Sequence, residues 1–333
     1  MAQITWGTIE PLDVPNFNVS VIANIFPTAQ DPDLIAGDYR LLGEPDVVTQ
    51  FLGSGFTFAN GFPVGGVVSS LVTTDGGRLV GRFDGLAIPA ADLAQWIFAG
   101  DDATARTALF AGDDTILATP FDDVVQGLAG NDIVDGGAGT DALVLLGSAA
   151  DYELVSWSGQ VGAVPTSGAL LAANGVDKGL SIEQLVFAGS SEVVAVPADN
   201  LDPLAYIASY DDLIAAFGVN AQAGFDHYLY HGVGEGRGTG FDGLQYVASH
   251  PDLIAAFGPD ARAGAAHFIA FGAAEGRARD SFDAEQYLAN YADLQAAFGT
   301  DTMAATEHFI TNGFAENRSD DPPLAIAAAE FLL

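Results

Sequence analysis

From Gly112 to Gly147 the sequence can be cut every nine residues, and each frame carries the same two signals. The frames are Gly112-Asp-Asp-Thr-Ile-Leu-Ala-Thr-Pro120, Phe121-Asp-Asp-Val-Val-Gln-Gly-Leu-Ala129, Gly130-Asn-Asp-Ile-Val-Asp-Gly-Gly-Ala138 and Gly139-Thr-Asp-Ala-Leu-Val-Leu-Leu-Gly147. Asp114, Asp123, Asp132 and Asp141 fall in register, and the apolar Ile116, Val125, Val134 and Leu143 each follow two residues later. Four consecutive frames with both positions in phase are hard to obtain from ordinary turn aspartates. The first frame departs from the pattern, with Leu117-Ala-Thr-Pro120 where glycine is preferred.

This nonapeptide, G-G-x-G-x-D-x-U-x, resembles the calcium-binding repeat of secreted RTX (repeats-in-toxin) proteins. With Gln50–Phe58 before it and Ile182–Gly189 after it, the segment is similar to RTX proteins of Gram-negative bacteria. The resemblance implies a short parallel β-roll in which each apolar strand enters the core and each glycine-rich half-turn exposes carbonyls and one carboxylate. Half-turns stacked on one face would bring Asp114 near Asp132, and those on the other Asp123 near Asp141. Ca2+ would bridge each pair with help from carbonyls near Gly112, Gly130 and Gly139, since calcium accepts about 6–8 oxygens in flexible geometry. Without the cation the carboxylates repel, so folding of the segment is expected to be coupled to calcium.

The resemblance also implies export by a type I system that reads an uncleaved C-terminal signal, here Ala325–Leu333, with Glu330 before a short apolar tail. That route suits an N-terminus, Met1–Trp6, with no basic region followed by an apolar one. The expected location is secreted, extracellular or at the cell surface.

Five segments are expected around the repeats. Residues 1–110 hold short β-branched and aromatic runs such as Phe17–Ile22, Val47–Phe51 and Val67–Val72, which predict an antiparallel β domain, sandwich-like or a small barrel. Turns are expected at Phe62-Pro63 with Gly65-Gly66 and at Asp75-Gly-Gly77, and one helix at Pro89–Trp96. The β-roll occupies 111–147, and a β cap with a linker follows over 148–198. Residues 199–321 read as three helical repeats of about forty residues, similar to helical blocks that accompany RTX segments in alphaproteobacteria. The tail is 322–333.

In the three repeats Tyr206, Tyr246 and Tyr287 correspond, as do His227, His267 and His308, and Gly232, Gly272 and Gly313. Glu235-Gly-Arg237, Glu275-Gly-Arg277 and Glu316-Asn-Arg318 also correspond. An aspartate at each helix start suits capping, and the glycine after each phenylalanine suits a left-handed C′ position. The histidines, one per repeat, read as buried groups hydrogen-bonded to a neighbouring repeat, and the Glu/Arg motifs as ion pairs between repeats. His231 and His250 have no counterparts and carry no signal.

Composition excludes several functions. The chain carries 10 Lys plus Arg against 44 Asp plus Glu, a formal charge of −34, so its general field repels nucleic acid. Hydrophobic residues at 49% provide for real cores. With no cysteine there is no disulfide, thiolate zinc site or cysteine nucleophile. No apolar run is long enough for a transmembrane segment. H-E-x-x-H, G-x-S-x-G and Walker motifs are missing, so no catalytic residue is assigned, and a hydrolase ranks last. Calcium in a four-frame roll neutralises little of the charge; most of it is solvated surface.

The leading expectation is therefore a non-catalytic secreted RTX surface protein acting in adhesion or self-assembly as a homo-oligomer or lattice. The alternative is a carbohydrate-recognition protein, such as a capsule-binding spike of a phage-like particle, with surface polysaccharide as partner. Exposed Trp6, Trp96 or Trp157 stacking on sugars would mark it; tryptophans in amphipathic contexts read first as core.

Overall fold

Regular turns and alternating apolar residues give the first half of the chain its strands. The computed structural model describes residues 2–7, 12–16, 29–31, 34–38 and 47–322, with backbone alone over 29–31 and 34–38. The expected strand Phe17–Ile22 and the export signal Ala325–Leu333 lie outside the described residues. The chain divides into two compact units, Met1–Asn200 and Leu201–Leu333.

In the first unit, β1 (Gln3–Trp6), β2 (Ala29–Asp31), β3 (Leu34–Asp38), β4 (Val47–Ala59), β5 (Phe62–Asp75) and β6 (Arg78–Pro89) precede the nonapeptides. The frames contribute β7 (Thr115–Leu117), β8 (Val124–Val125), β9 (Ile133–Asp135) and β10 (Ala142–Leu145). After them come β11 (Tyr152–Trp157), β12 (Gln160–Pro165), β13 (Asp177–Leu180), β14 (Gln184–Phe187) and β15 (Glu192–Ala195). One sheet runs β11-β12-β13-β9-β7-β1-β6-β5-β4-β3-β2 and the other β15-β14-β10-β8.

Successive nonapeptide strands thus alternate between two sheets, and strands two frames apart pair in parallel, β7 with β9 and β8 with β10. The register stacks the expected apolar positions: Ile4 on Ile116 on Val134 in one sheet, and Val125 on Leu143 on Leu185 in the other. All six are 0% exposed. Full burial of a large aliphatic side chain stabilises by about 1.5–3 kcal/mol, so these short strands are held by the core between the sheets, not by their length.

The roll extends past the four frames at both ends. β1 adds a parallel strand to β7 while pairing antiparallel with β6, and residues 12–14 bridge to Val124. Beyond the frames, β13 pairs parallel with β9, and β14 with β10. The hairpin β11–β12 and the strand β15 then cover β13 and β14 in antiparallel pairing. The expected breaks at 110 and 147 are therefore crossed by a continuous sheet. The sandwich-like expectation for 1–110 gives way to a single antiparallel run, β6 to β2, in that same sheet.

Local chemistry explains the remaining corrections. The first long hairpin turns at Asn60-Gly61, both with positive φ (52° and 83°), as a tight turn matching the strand twist requires. Phe62-Pro63 already lies in β5, and Gly65-Gly66 sits where the β4/β5 register shifts. The Asp75–Gly77 turn falls where expected, between β5 and β6. The helix at Ala90–Ala99 is joined by a second at Asp102–Leu109, whose N-cap Asp101 accepts from Thr104 N–H. Together they deliver Leu93, Leu109 and Phe110 to the core, Phe110 edge-on to Phe83 at 5.4 Å.

The second unit repeats one design three times. Helices 203–208, 211–217 and 221–227 lead into a π-helical turn at 228–232; 243–248, 251–257, 261–267 and 268–272 follow, then 284–290, 292–298, 302–308 and 309–313. Asp202, Asp242 and Asp283 cap the first helix of each block. Tyr206, Tyr246 and Tyr287 are 0% exposed, and their hydroxyls meet Nδ1 of His227, His267 and His308 at 2.9, 3.0 and 3.0 Å. The corresponding glycines, 232, 272 and 313, leave the room these hydroxyls fill: a Cβ there would lie 2.5, 2.3 and 2.0 Å from the Tyr oxygen.

Two expectations for this unit are corrected. The histidines are half-buried and bond within their own repeat, because tyrosine and histidine are on helices of one block. Likewise Arg237, Arg277 and Arg318 pair with Asp212, Asp252 and Asp293 of their own blocks, each at 2.8 Å, as well as with the neighbouring glutamates. Between blocks, helix 261–267 packs on 203–208, helix 302–308 packs on 243–248, and Arg279 pairs with Asp211; Ser209 and Ser249 accept from Gly240, Phe241 and Phe282, the residues that lead into the next block. The glycines after each phenylalanine do have positive φ, but with ψ near −144°, −152° and −112°, outside the left-handed helical region.

If β1 is a working strand of the roll, Ile4→Ala should lower the unfolding free energy of the calcium-loaded chain by about 2–5 kcal/mol. Chemical denaturation checks this; wild-type stability would place residues 3–6 outside the roll.

Candidate calcium site

Each register aspartate sits at the end of a half-turn, immediately before a strand, so the strand pairing fixes where its carboxylate lands. Asp114, Asp123, Asp132 and Asp141 are 1%, 0%, 0% and 0% exposed. They do not fan out into solvent; they form two ladders inside the roll. On one face, Ala2 N–H donates to Asp114 Oδ1 at 2.7 Å, Asp114 N–H to Asp132 Oδ1 at 2.8 Å, and Asp132 N–H to Asp177 Oδ1 at 3.2 Å. On the other, Leu12 N–H donates to Asp123 Oδ1, Asp123 N–H to Asp141 Oδ1 at 2.8 Å, and Asp141 N–H to Glu183 Oε2 at 2.8 Å.

The expected neighbours, Asp114 with Asp132 and Asp123 with Asp141, are thus brought together. Sequence reasoning missed Asp177 and Glu183, which extend the ladders beyond the frames. Glu183 carries a usable signal, an acid followed two residues later by apolar Leu185; Asp177 is followed by Gly179 and has none. An outer set of bonds runs alongside: Asn131 N–H to Asp113, Thr140 N–H to Asp122 and Val176 N–H to Asn131 Oδ1.

The carbonyls expected as ligands lie in the turns. A Cβ on Gly130, whose φ is +132°, would be 2.3 Å from the Gly112 oxygen, and one on Gly175 would be 1.9 Å from that of Gly130. Gly139 stacks likewise on the carbonyl of Phe121. Glycine is required at Gly130 on both counts, conformation and close approach.

The electrostatics of the ladders disfavour uncompensated negative charge. Burial pushes Asp114 up to about 6, Asp132 to about 7 and Asp141 to about 6, with the adjacent carboxylates adding to the rise. Asp177 is driven well above the ordinary carboxylate range by burial and then by Asp132. Asp114 Oδ2, Asp132 Oδ2 and Asp141 Oδ2 are buried with no hydrogen-bond partner. At two of them glycine makes room for the carboxylate itself, since a Cβ on Gly127 would be 1.8 Å from Asp132 Oδ2 and one on Gly136 2.6 Å from Asp141 Oδ2. Bare buried oxygens in a glycine-lined turn fit a hard cation with oxygen ligands. Among the described residues no three His, Cys, Asp or Glu side chains converge on one point, so such an ion would need backbone carbonyls as well.

Residues 110–143 match the RTX calcium-binding nonapeptide repeat (4 copies). The match supports an RTX-type, calcium-binding chain, and the bare oxygens of Asp114, Asp132 and Asp141 supply its physical reason. Comparison of the whole chain with curated proteins finds no match. Among the described residues no helix is long and apolar enough to cross a membrane.

When bound, the cation supplies the positive charge that the buried carboxylates lack; the chain's own part is to hold those oxygens in place. Saturation at a hundred times Kd adds about 2.7 kcal/mol per independent site. Calcium should therefore raise the melting temperature relative to chelator, and Asp132→Ala should remove much of the rise. Identical melting in calcium and chelator would exclude a calcium-folded roll.

Protons compete for the same oxygens. In chelator these carboxyls titrate higher in the folded chain than in the unfolded one, so the stability they confer is complete below pH ~4 and is lost as pH rises through 6 to 7. The melting temperature in chelator should fall between pH 5 and 8, while the increment due to calcium should grow over the same interval. Calorimetry at several pH values, with and without calcium, reads both trends.

Proposed function

We propose that this RTX-type chain is a secreted, non-catalytic surface protein that self-assembles or adheres once calcium has folded its first unit. The reading is supported by the reach of the carboxylate ladders. They tie Ala2 and Leu12 at one end to Asp177 and Glu183 at the other, so calcium acts on the whole two-hundred-residue unit, beyond the matched repeats. In a calcium-poor cytosol the acidic chain stays loose and soluble; outside, the cation completes it.

The same unit presents apolar side chains to solvent. Phe62 and Val64 alternate onto one face of β5, 41% and 54% exposed, and Phe98 at 55% packs against Phe62 with ring centroids 4.8 Å apart. Exposed apolar groups of this size mark contact surfaces, and here the partner suited to them is a second copy of the chain. Trp6, Trp96 and Trp157 are half-buried, which leaves little free indole for sugar stacking.

Electron microscopy and light scattering of the full chain test the proposal. Calcium should yield particles or sheets that chelator dissolves, and Phe62→Ser with Phe98→Ser should reduce them without altering the calcium-dependent melting. A monodisperse monomer at saturating calcium would reject self-assembly, and glycan-array binding by that monomer would favour carbohydrate recognition.

A further inference from the structure

The two ladders are not uniform. At Asp123, Thr119 donates to Oδ2 through its backbone N–H at 2.7 Å, and its hydroxyl lies 2.9 and 2.8 Å from Oδ1 and Oδ2. Phe121 N–H donates to that hydroxyl oxygen at 3.1 Å, which leaves its proton for the carboxylate. At Asp177, Asn174 donates through Nδ2 to Oδ2 at 2.8 Å. Thr119 and Asn174 are 2% and 1% exposed. Asp123 and Asp177 thus have partners on both oxygens, whereas Asp114, Asp132 and Asp141 each keep one bare.

The frames explain the contrast. Thr119 stands where the second and third frames have Leu128 and Gly137, and Ala118 where they have Gly127 and Gly136. Gly127 and Gly136 are the two residues whose missing Cβ lets the carboxylates of Asp132 and Asp141 lie against the turn. The degenerate first frame therefore has alanine at the glycine position and brings a hydroxyl to its carboxylate. Asn174 achieves the same end from the helix Gly168–Asn174, outside the repeats, although its own Oδ1 is buried without a partner.

We propose that Thr119 and Asn174 stand in for the cation at Asp123 and Asp177, confining calcium to the turns of Asp114, Asp132 and Asp141. Two turns, one on each face, then close without metal. They are positioning residues: each satisfies a carboxylate that in turn holds the backbone of the next coil. The proposal rests on the reading of the roll as calcium-folded.

Thermal unfolding of the full chain in calcium and in chelator, with calcium stoichiometry from a competing chelator dye, tests it. Asp132→Asn and Asp141→Asn should shrink the calcium-induced rise in melting temperature and lower the stoichiometry. Asp123→Asn should lower both melting temperatures alike and leave the rise and the stoichiometry as in wild type. Thr119→Gly, which removes the hydroxyl and opens the turn, should lower the melting temperature in chelator and widen the rise due to calcium. An Asp123→Asn variant that loses the calcium response as Asp132→Asn does would overturn the proposal, and so would equal destabilisation of Thr119→Gly with and without calcium. A wild-type chain with no calcium response at all would instead remove the calcium reading on which the proposal stands.

Discussion

A buried carboxylate that accepts the backbone N–H of the coil beneath it is the interaction on which the first unit depends. Each such bond satisfies a donor in a half-turn that has no helix or sheet partner, where an unpaired buried amide costs about 1–3 kcal/mol. It does so with a group that is itself expensive to bury charged. The second oxygen settles the conflict: it takes a proton, a side-chain donor such as Thr119, or a cation. The responses expected to calcium and to pH both follow from that three-way choice at Asp114, Asp132 and Asp141.

Much of this was readable in the sequence because the roll writes its geometry in a fixed period. Nine residues per half-coil put Ile116 over Val134 and Asp114 beside Asp132, so register aspartates and register aliphatics announce both the ladders and the core. The end coils were hidden because they abandon the period. Asp177 follows Asp132 at a distance of 45 residues, across a hairpin and a helix, and Ala2 lies 112 residues before Asp114. The sandwich expectation failed for a related reason: alternation reports that one face of a strand is buried, and says nothing of which sheet supplies the cover. The Phe62-Pro63 turn was misplaced because Asn60-Gly61, two residues earlier, already reverses the chain.

The helical unit obeys a different logic. Its repeats were easy to align, yet the partners within them were assigned to the wrong neighbours, since an alignment of blocks cannot distinguish a bond inside a block from one between blocks. The tyrosine hydroxyl, the histidine and the glycine that makes room for it all belong to one block, as do the arginine and its aspartate. Each block therefore satisfies these polar groups internally, while neighbouring blocks pack helix on helix, 261–267 on 203–208 and 302–308 on 243–248, with Arg279 reaching Asp211. Stability of that kind is close to additive along an array.

The placement of β1 bears on the order of events in folding. It is made before every other described strand, yet it lies in the interior of the finished sheet, between β6 and β7. Until residues 115–117 have been made it has one bare edge, and its closing bond, from Ala2 to Asp114, spans more than a hundred residues. Contacts of that separation form late, because loop closure must precede any gain from pairing. The earliest of these strands is thus the seam of the largest sheet, and topology alone keeps a nascent chain from completing the unit early.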